Sequence, residues 1–410
     1  NSRNQFGRIP RDELDPNYRF HTRTTGYQQR SINSAQVSGE HYFKNFHKLK
    51  ADWISSYTLS TQRQPDLRFF SNTYILPDTP EEDTSYSIRP AEYTVPSRFF
   101  RNMKEHNIDN KIHFELPLNT KAGKSKIKFG ASGLYKFRDF NESRYDFRSQ
   151  SISYNGNVKD YLKDENMNAG SPNGYIFISD ATEEKNNYVG KQTILGSYGM
   201  LDLFITEKIR LITGARIEHT NISSQSNEEN LKKGELVNTD ILPSVNTVYS
   251  INDMMKLRGS YSRTLARPSF RELAPFGSFN FIGDFVLVGN PELNRTLIDN
   301  YDIRWEFYPS YSELISVSAF MKDFHDPIER VFNPVATNPE MNYRNVDNAF
   351  LKGIELEVRK TLGFLGYNFK NFSIIANVSF IDSKVNIAED ELKAIRALNP
   401  NKSSTRQMFG

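Results

Sequence analysis

Residues 300–322 read NYDIRWEFYPSYSELISVSAFMK and alternate between apolar and polar positions. Tyr301, Ile303, Trp305 and Phe307 fall on one side; Asp302, Arg304, Glu306 and Tyr308 fall on the other. A β-strand sends successive side chains to opposite faces, so this stretch predicts a strand with one aromatic-tipped apolar face and one mostly charged face. Pro309, Ser310 and Tyr311 interrupt the alternation at a place suited to a turn. Ile315, Val317, Ala319 and Met321 then resume it against Ser316, Ser318 and Lys322, with Phe320 the exception. Two such strands around a tight turn predict a hairpin.

The unit recurs along the chain. Leu49, Ala51, Trp53, Ser55, Tyr57 and Leu59 share a face, residues 61–66 (TQRQPD) suit a turn, and residues 67–75 return. Ile112, Phe114 and Leu116 alternate with His113 and Glu115 before a turn at residues 119–124. Ile127, Phe129, Ala131, Gly133 and Tyr135 follow on one face. Leu195, Leu201, Leu203 and Ile205 oppose Tyr198 and Asp202; past residues 206–208, Ile209, Leu211, Thr213, Ala215 and Ile217 oppose Arg210, Gly214, Arg216 and Glu218. A fourth hairpin spans residues 241–262, with Arg258, Ser260 and Ser262 on its polar face. In the last hairpin Ile354, Leu356 and Val358 oppose Gly353, Glu355, Glu357 and Arg359. Short turns are expected near residues 63, 121, 207, 252, 310 and 366. The first forty or so residues and the long polar stretches between hairpins, above all residues 138–187, predict irregular structure. The result is an all-β, antiparallel pattern of about twelve long strands, with tight turns on one side and long loops on the other.

Strands of about ten residues exceed the globular mode of about 5–6 and match the roughly 9–11 residues that cross a bilayer. Charges sit in mid-strand, and small residues stand beside large ones on the apolar face, as a lipid-facing wall tolerates. A transmembrane β-barrel satisfies these features, because only a closed barrel or a helix pairs every backbone group in lipid. A soluble β-sandwich that binds carbohydrate or protein stays open as the alternative. It would place the rows of Leu203, Trp305 and Leu356 in a dry interior between two sheets.

Composition narrows the chemistry. The chain of 410 residues has no Cys, which excludes disulfides and thiolate catalysis, and a net charge of +3, which gives no nucleic-acid footprint. Mean hydropathy is −0.62, and no run of about 18 apolar residues exists for a membrane helix. The first residues lack a charged segment followed by an apolar one, so no signal peptide is expected, and the chain is expected to be a piece of a longer protein.

Four motifs carry a family resemblance: residues 211–218 (LITGARIE), 241–276 (ILPSVNTVYSINDMMKLRGSYSRTLARPSFRELAPF), 289–307 (GNPELNRTLIDNYDIRWEF) and 343–359 (YRNVDNAFLKGIELEVR). In sequence and order they resemble the barrel of TonB-dependent receptors, in particular the Bacteroidetes outer-membrane-protein branch. The resemblance implies a 22-stranded barrel in the outer membrane of a Gram-negative bacterium, of which residues 1–410 would be one domain fragment without the plug and closing strands. It implies energy-coupled uptake of a scarce solute, such as a siderophore, cobalamin, glycan or peptide. It implies outer-membrane lipid, the TonB complex acting through the plug, and a surface lipoprotein as partners. No enzyme activity, cofactor or metal is expected, since no GxSxG, HExxH or phosphate loop appears and the seven His show no paired spacing.

Candidate sites have two readings each. Arg210, Arg216, Glu218, Arg258, Asp302, Arg304, Glu306, Glu355, Glu357 and Arg359 would face the lumen, either to bind a solute or plug, or as mutually compensating cross-strand pairs. Tyr145, Tyr154, Tyr161 and Tyr175, among Asn and Asp, would capture sugar or peptide, or else pack their own loop. In RTLARPSF (residues 263–270), either the loop touches substrate, or Pro268 ends the ladder and Arg267 pairs with a lumen carboxylate.

Overall fold

The computed structural model describes residues 18–77, 84–88, 95–280, 285–332 and 340–387, and short pieces between residues 392 and 409. The strands in chain order are β1 (Tyr18–Thr25), β2 (Gln29–Phe43), β3 (Leu49–Ile75), β4 (Ser85–Ser87), β5 (Ser97–Thr120), β6 (Gly123–Gln150), β7 (Tyr175–Asp180), β8 (Tyr188–Phe204), β9 (Ile209–Ser226), β10 (Gly234–Ser250), β11 (Met255–Ala266), β12 (Gly277–Asn280), β13 (Phe285–Val288), β14 (Thr296–Phe307), β15 (Leu314–His325), β16 (Ile328–Phe332), β17 (Glu340–Asn345), β18 (Asn348–Thr361), β19 (Ser373–Asn386) and β20 (Thr405–Phe409). Two one-turn helices, α1 (Val158–Tyr161) and α2 (Phe270–Leu273), lie in the long connections. No helix among the described residues is long and apolar enough to cross a membrane.

One sheet of 16 strands runs β1-β3-β5-β6-β8-β9-β10-β11-β14-β15-β18-β19-β20, with β2 and β4 beside β3 and β7 beside β6. Its neighbours pair antiparallel throughout, and among the described residues the first and last strands do not pair with each other. A second sheet, β12-β13-β17-β16, is built from two of the long loops.

The alternation sorts the large sheet into two faces. On the outer face Ile303 is 53% exposed, Leu195 55% and Leu356 42%, while Leu203 and Trp305 are only partly buried. These rows are therefore not packed between two sheets, which removes the β-sandwich alternative. On the inner face Asp202, Thr220 and Glu306 are buried. An apolar wall left bare over a polar, buried lining inverts the soluble pattern and matches a wall that lipid covers. Aromatic rings mark both margins of the outer apolar zone: Tyr261 and Tyr301 lie 5.1 Å apart toward the loops, and Trp305 stacks on Phe307 at 6.2 Å beside the turn.

Several strands run past the alternation. In β9 the outer positions are apolar to Ile217 and then read His219, Asn221 and Ser223 while pairing with β10 continues. The extensions stand beyond the lipid zone, where both faces can be polar and the period-two signal disappears. Residues 97–106, 138–150 and 219–240 are for this reason largely strand rather than irregular loop.

The N-terminal part departs most from expectation. Residues 61–66 form no turn: β3 continues through them to Ile75, with a register shift between Gln64 and Leu67. Pro65 cannot donate to the ladder, and a bulge absorbs it. The partner of β3 at this end is β2, joined by a tight turn at residues 44–48 in which His47 and Lys48 adopt φ of 49° and 58°. β1 and β2 thus occupy residues expected to be irregular; β2 is polar on both faces and gives no alternation to detect. The expected twelve strands become 16 in the large sheet by the merging of one pair and the addition of β1, β2, β4, β7 and β20.

Candidate functional site

The inner-face charges form chains of pairs. Arg210 donates twice to Asp202, at 2.8 and 2.7 Å. Arg258 reaches Glu306 at 2.8 Å; Arg304 reaches Glu306 at 3.0 Å and Glu357 at 2.9 Å; Arg359 stands 3.7 Å from Glu357. Arg216 and Arg267 both pair with Glu218. Asp302 accepts only from the Ser260 hydroxyl at 3.3 Å and is exposed, and Glu355 is exposed without an ion pair among the described residues. Fork-shaped guanidiniums matched to carboxylates keep buried charge compensated, so the lining is wettable without a strong field of one sign.

Nearer the loops, residues 267–280 and 285–295 enter the inner face. Ser269 and Glu272 form a capping box that starts α2. Phe270, Leu273, Ala274, Phe276 and Leu293 pack with Tyr188, Ile222 and Leu236 of the wall. Glycines shape the seat: a Cβ on Gly190 would stand 2.5 Å from the Phe270 ring, and one on Gly234 2.4 Å from the Leu273 carbonyl oxygen. Arg271 donates to the carbonyls of Phe276 at 3.2 Å and Leu287 at 2.6 Å, and desolvation lowers the pKa of its guanidinium.

Two arginines hold the ends of this segment. Arg267 pairs with Glu218 and donates to Thr220 Oγ1 at 2.9 Å, while Arg295 donates to Asp240 Oδ1 at 2.5 Å. Glu218 and Asp240 are direct cross-strand partners. RTLARPSF is thus the corner at which β11 ends and the chain turns inward, with Pro268 just past the ladder. Arg295 and Asp240 went unnoticed in the sequence; only the in-register placement of Asp240 opposite Glu218, known once strands are paired, distinguishes them from other charges.

The four tyrosines do not converge. Tyr154 and Tyr161 are buried with Phe70 and Ile176, their rings 5.7 Å apart and edge to face, and burial raises the Tyr161 pKa. Tyr145 lies on β6 against Phe100, and Tyr175 opens β7 beside Phe177. His325 sits 3.2 Å from Asp299, which Arg263 also holds; among the described residues no group of three or more His, Asp or Glu is placed to hold a metal.

Comparison with known proteins places this architecture. No curated protein matches the chain. Among solved structures it is similar to the pyoverdine outer membrane receptor FpvA from Pseudomonas aeruginosa PAO1 bound to pyoverdine, with TM-score 0.53 and 14% identity, covering 89% of this chain and 49% of that one. BauA, the ferric preacinetobactin receptor from Acinetobacter baumannii, gives TM-score 0.47 and 13% identity over 88% of this chain and 46% of that one. The alcaligin receptor FauA from Bordetella pertussis gives 0.41 and 10% over 90% and 57%. The chain spans about half the length of these receptors. The profile of the family described as TonB dependent receptor-like, beta-barrel, matches residues 1–405, and the chain belongs to that family.

Proposed function

We propose that the protein is an outer-membrane receptor that imports a scarce solute with energy coupled through TonB, and that this chain supplies barrel wall and ligand-capturing loops. The observation that carries the reading is the two-sided sheet: exposed apolar rows outside, compensated Arg–carboxylate chains inside. Family membership supports it. Import requires a wide, wettable, plugged interior, which mixed-sign pairs suit better than a selective channel would. The solute class is a siderophore, cobalamin, glycan or peptide; the structurally similar receptor FpvA is bound to pyoverdine. A plug domain, TonB and a surface lipoprotein over the loops complete the reading.

The test is uptake by cells carrying the full-length protein, with and without an active TonB complex, against a panel of labelled siderophores, cobalamin, oligosaccharides and peptides. Accumulation of one class that stops when TonB is inactivated is expected. Accumulation of none, with the protein correctly inserted, contradicts the proposal.

A further inference from the structure

A cavity of about 410 Å³ opens on the outer face of the strand extensions, where β1, β3 and β5 meet the connection that carries α1. By register, Arg23 pairs with Phe70 and Arg68 with Arg98, all on the face opposite the paired inner charges. Phe70, Phe147 and Leu162 line it with apolar surface, and Arg23, Arg68 and Arg98 stand around it. Its size falls in the range of about 300–1,000 Å³ typical of small-molecule pockets.

Among the described residues the charges here are not compensated as they are on the inner face. Arg68 and Arg98 are direct cross-strand partners, and like charges so placed repel. Among the described residues a single carboxylate, Asp66, lies between them at 2.7 Å from each. The bulge at Pro65 and Asp66 aims it there. Arg98, with Arg68, holds the Asp66 carboxyl down at about 2, so it stays ionised. Arg23 donates to Asn72 Oδ1 at 3.1 Å, Tyr154 Oη at 3.2 Å and His21 Nδ1 at 2.9 Å, and has no carboxylate partner among the described residues. Among the described residues, three guanidiniums against one carboxylate leave a surplus of two positive charges around an aromatic-lined hollow.

We propose that this cavity is a binding site for a small organic acid: a carboxylate carried on a flat apolar body. The carboxylate meets the planar fork of Arg23, already oriented by Tyr154, and is drawn by the Arg68–Arg98 pair. The body lies against Phe70, Phe147 and Leu162, where ring faces favour flat partners. The site lies off the inner face, so it is occupied independently of any solute in the lumen.

The experiment is equilibrium dialysis of cinnamate against the full-length protein in lipid nanodiscs, with empty nanodiscs subtracted and cinnamyl alcohol as the neutral analogue. One saturable site is expected, preferring cinnamate by about tenfold or more, the size of one charge-assisted contact. Arg23→Gln and Phe70→Ala each weaken cinnamate by about tenfold, and Arg23→Lys falls between Gln and the natural residue. Heat-modifiable migration in gels checks that each variant is folded. Equal binding of the alcohol, unchanged binding by folded Arg23→Gln, or no saturable binding by the unaltered protein overturns the proposal; the comparison of acid and alcohol needs no variant.

Discussion

Glu218 and Asp240 face each other across β9 and β10, and each holds an arginine from one end of the same segment: Arg267 on Glu218, Arg295 on Asp240. The side chain of Asp240 is only 4% exposed. Arg295→Ala leaves that carboxylate buried and unpaired, a change that costs about 3–5 kcal/mol where the charge is not relieved by water. Residues 267–280 and 285–295 then lift from the wall. Hydrogen exchange across these residues is expected to accelerate in Arg295→Ala and in Arg267→Ala; protection equal to that of the unaltered protein would show that the two pairs do not anchor it.

Gly190 belongs to the same seat. A methyl group there meets the Phe270 ring at 2.5 Å. Gly190→Ala therefore displaces α2, and Phe270→Ala empties the core it fills, at about 3–5 kcal/mol for a large buried aromatic. Combining the two is expected to cost less than their sum, because the truncated ring no longer meets the added methyl. Exchange protection of Leu273 and Leu293 in the single and double variants measures the coupling; additive losses would contradict the contact.

Acid weakens the short-turn side at Glu313. Its carboxylate accepts from the Thr361 hydroxyl at 2.5 Å, the Lys360 ammonium at 2.9 Å and the Thr361 amide at 3.2 Å, and Thr361 first and Lys360 second lower its pKa from 4.5 to about 2. The folded value lies below the unfolded one, so the stabilisation is complete above about 4.5 and fades as pH falls toward 2. Exchange of the Thr361 amide should rise across that window in the natural protein. Glu313→Gln should remove the pH dependence; an identical profile in that variant would refute the assignment.

The outer wall predicts asymmetric tolerance. Ile303→Arg puts a charge in the lipid zone and costs about 2–4 kcal/mol at mid-depth. Asp302→Arg, one residue along, points to the inner face and is expected to cost far less. The folded fraction of the full-length protein, read from heat-modifiable gel migration, separates the two; equal losses would mean the faces are misassigned.

How much of this was legible in the sequence depended on what surrounds each residue. Where lipid touches one face and water the other, as around Ile303 and Arg304, alternation located strands and tight turns near 121, 207, 252 and 310; the turn expected near 366 is a longer connection, residues 362–372, with two short 3-10 helices. Where water touches both faces, as along β2 and the upper half of β9, the pattern vanished although the ladder continued. Pro65 misled because a turn and a bulge share its chemistry. The pairing of inner charges followed from sign and spacing, but their partners, and the stapling of residues 267–295 by Arg267 and Arg295, required the register. The tyrosines of residues 138–187 gave no hint of which would be buried, because packing of a long connection is set by distant partners such as Phe70.

The central claim is that the sheet turns its apolar face to lipid. This chain contains no cysteine, so single cysteines placed at positions 301–307 label without interference once any cysteine elsewhere in the full-length protein has been replaced. Labelling each in intact outer membranes with a water-soluble maleimide should alternate: low at 301, 303, 305 and 307, high at 302, 304 and 306 once the interior is opened with urea, with the low set quenched by nitroxide-bearing lipid. Labelling without alternation, or quenching of the even positions, would contradict the account.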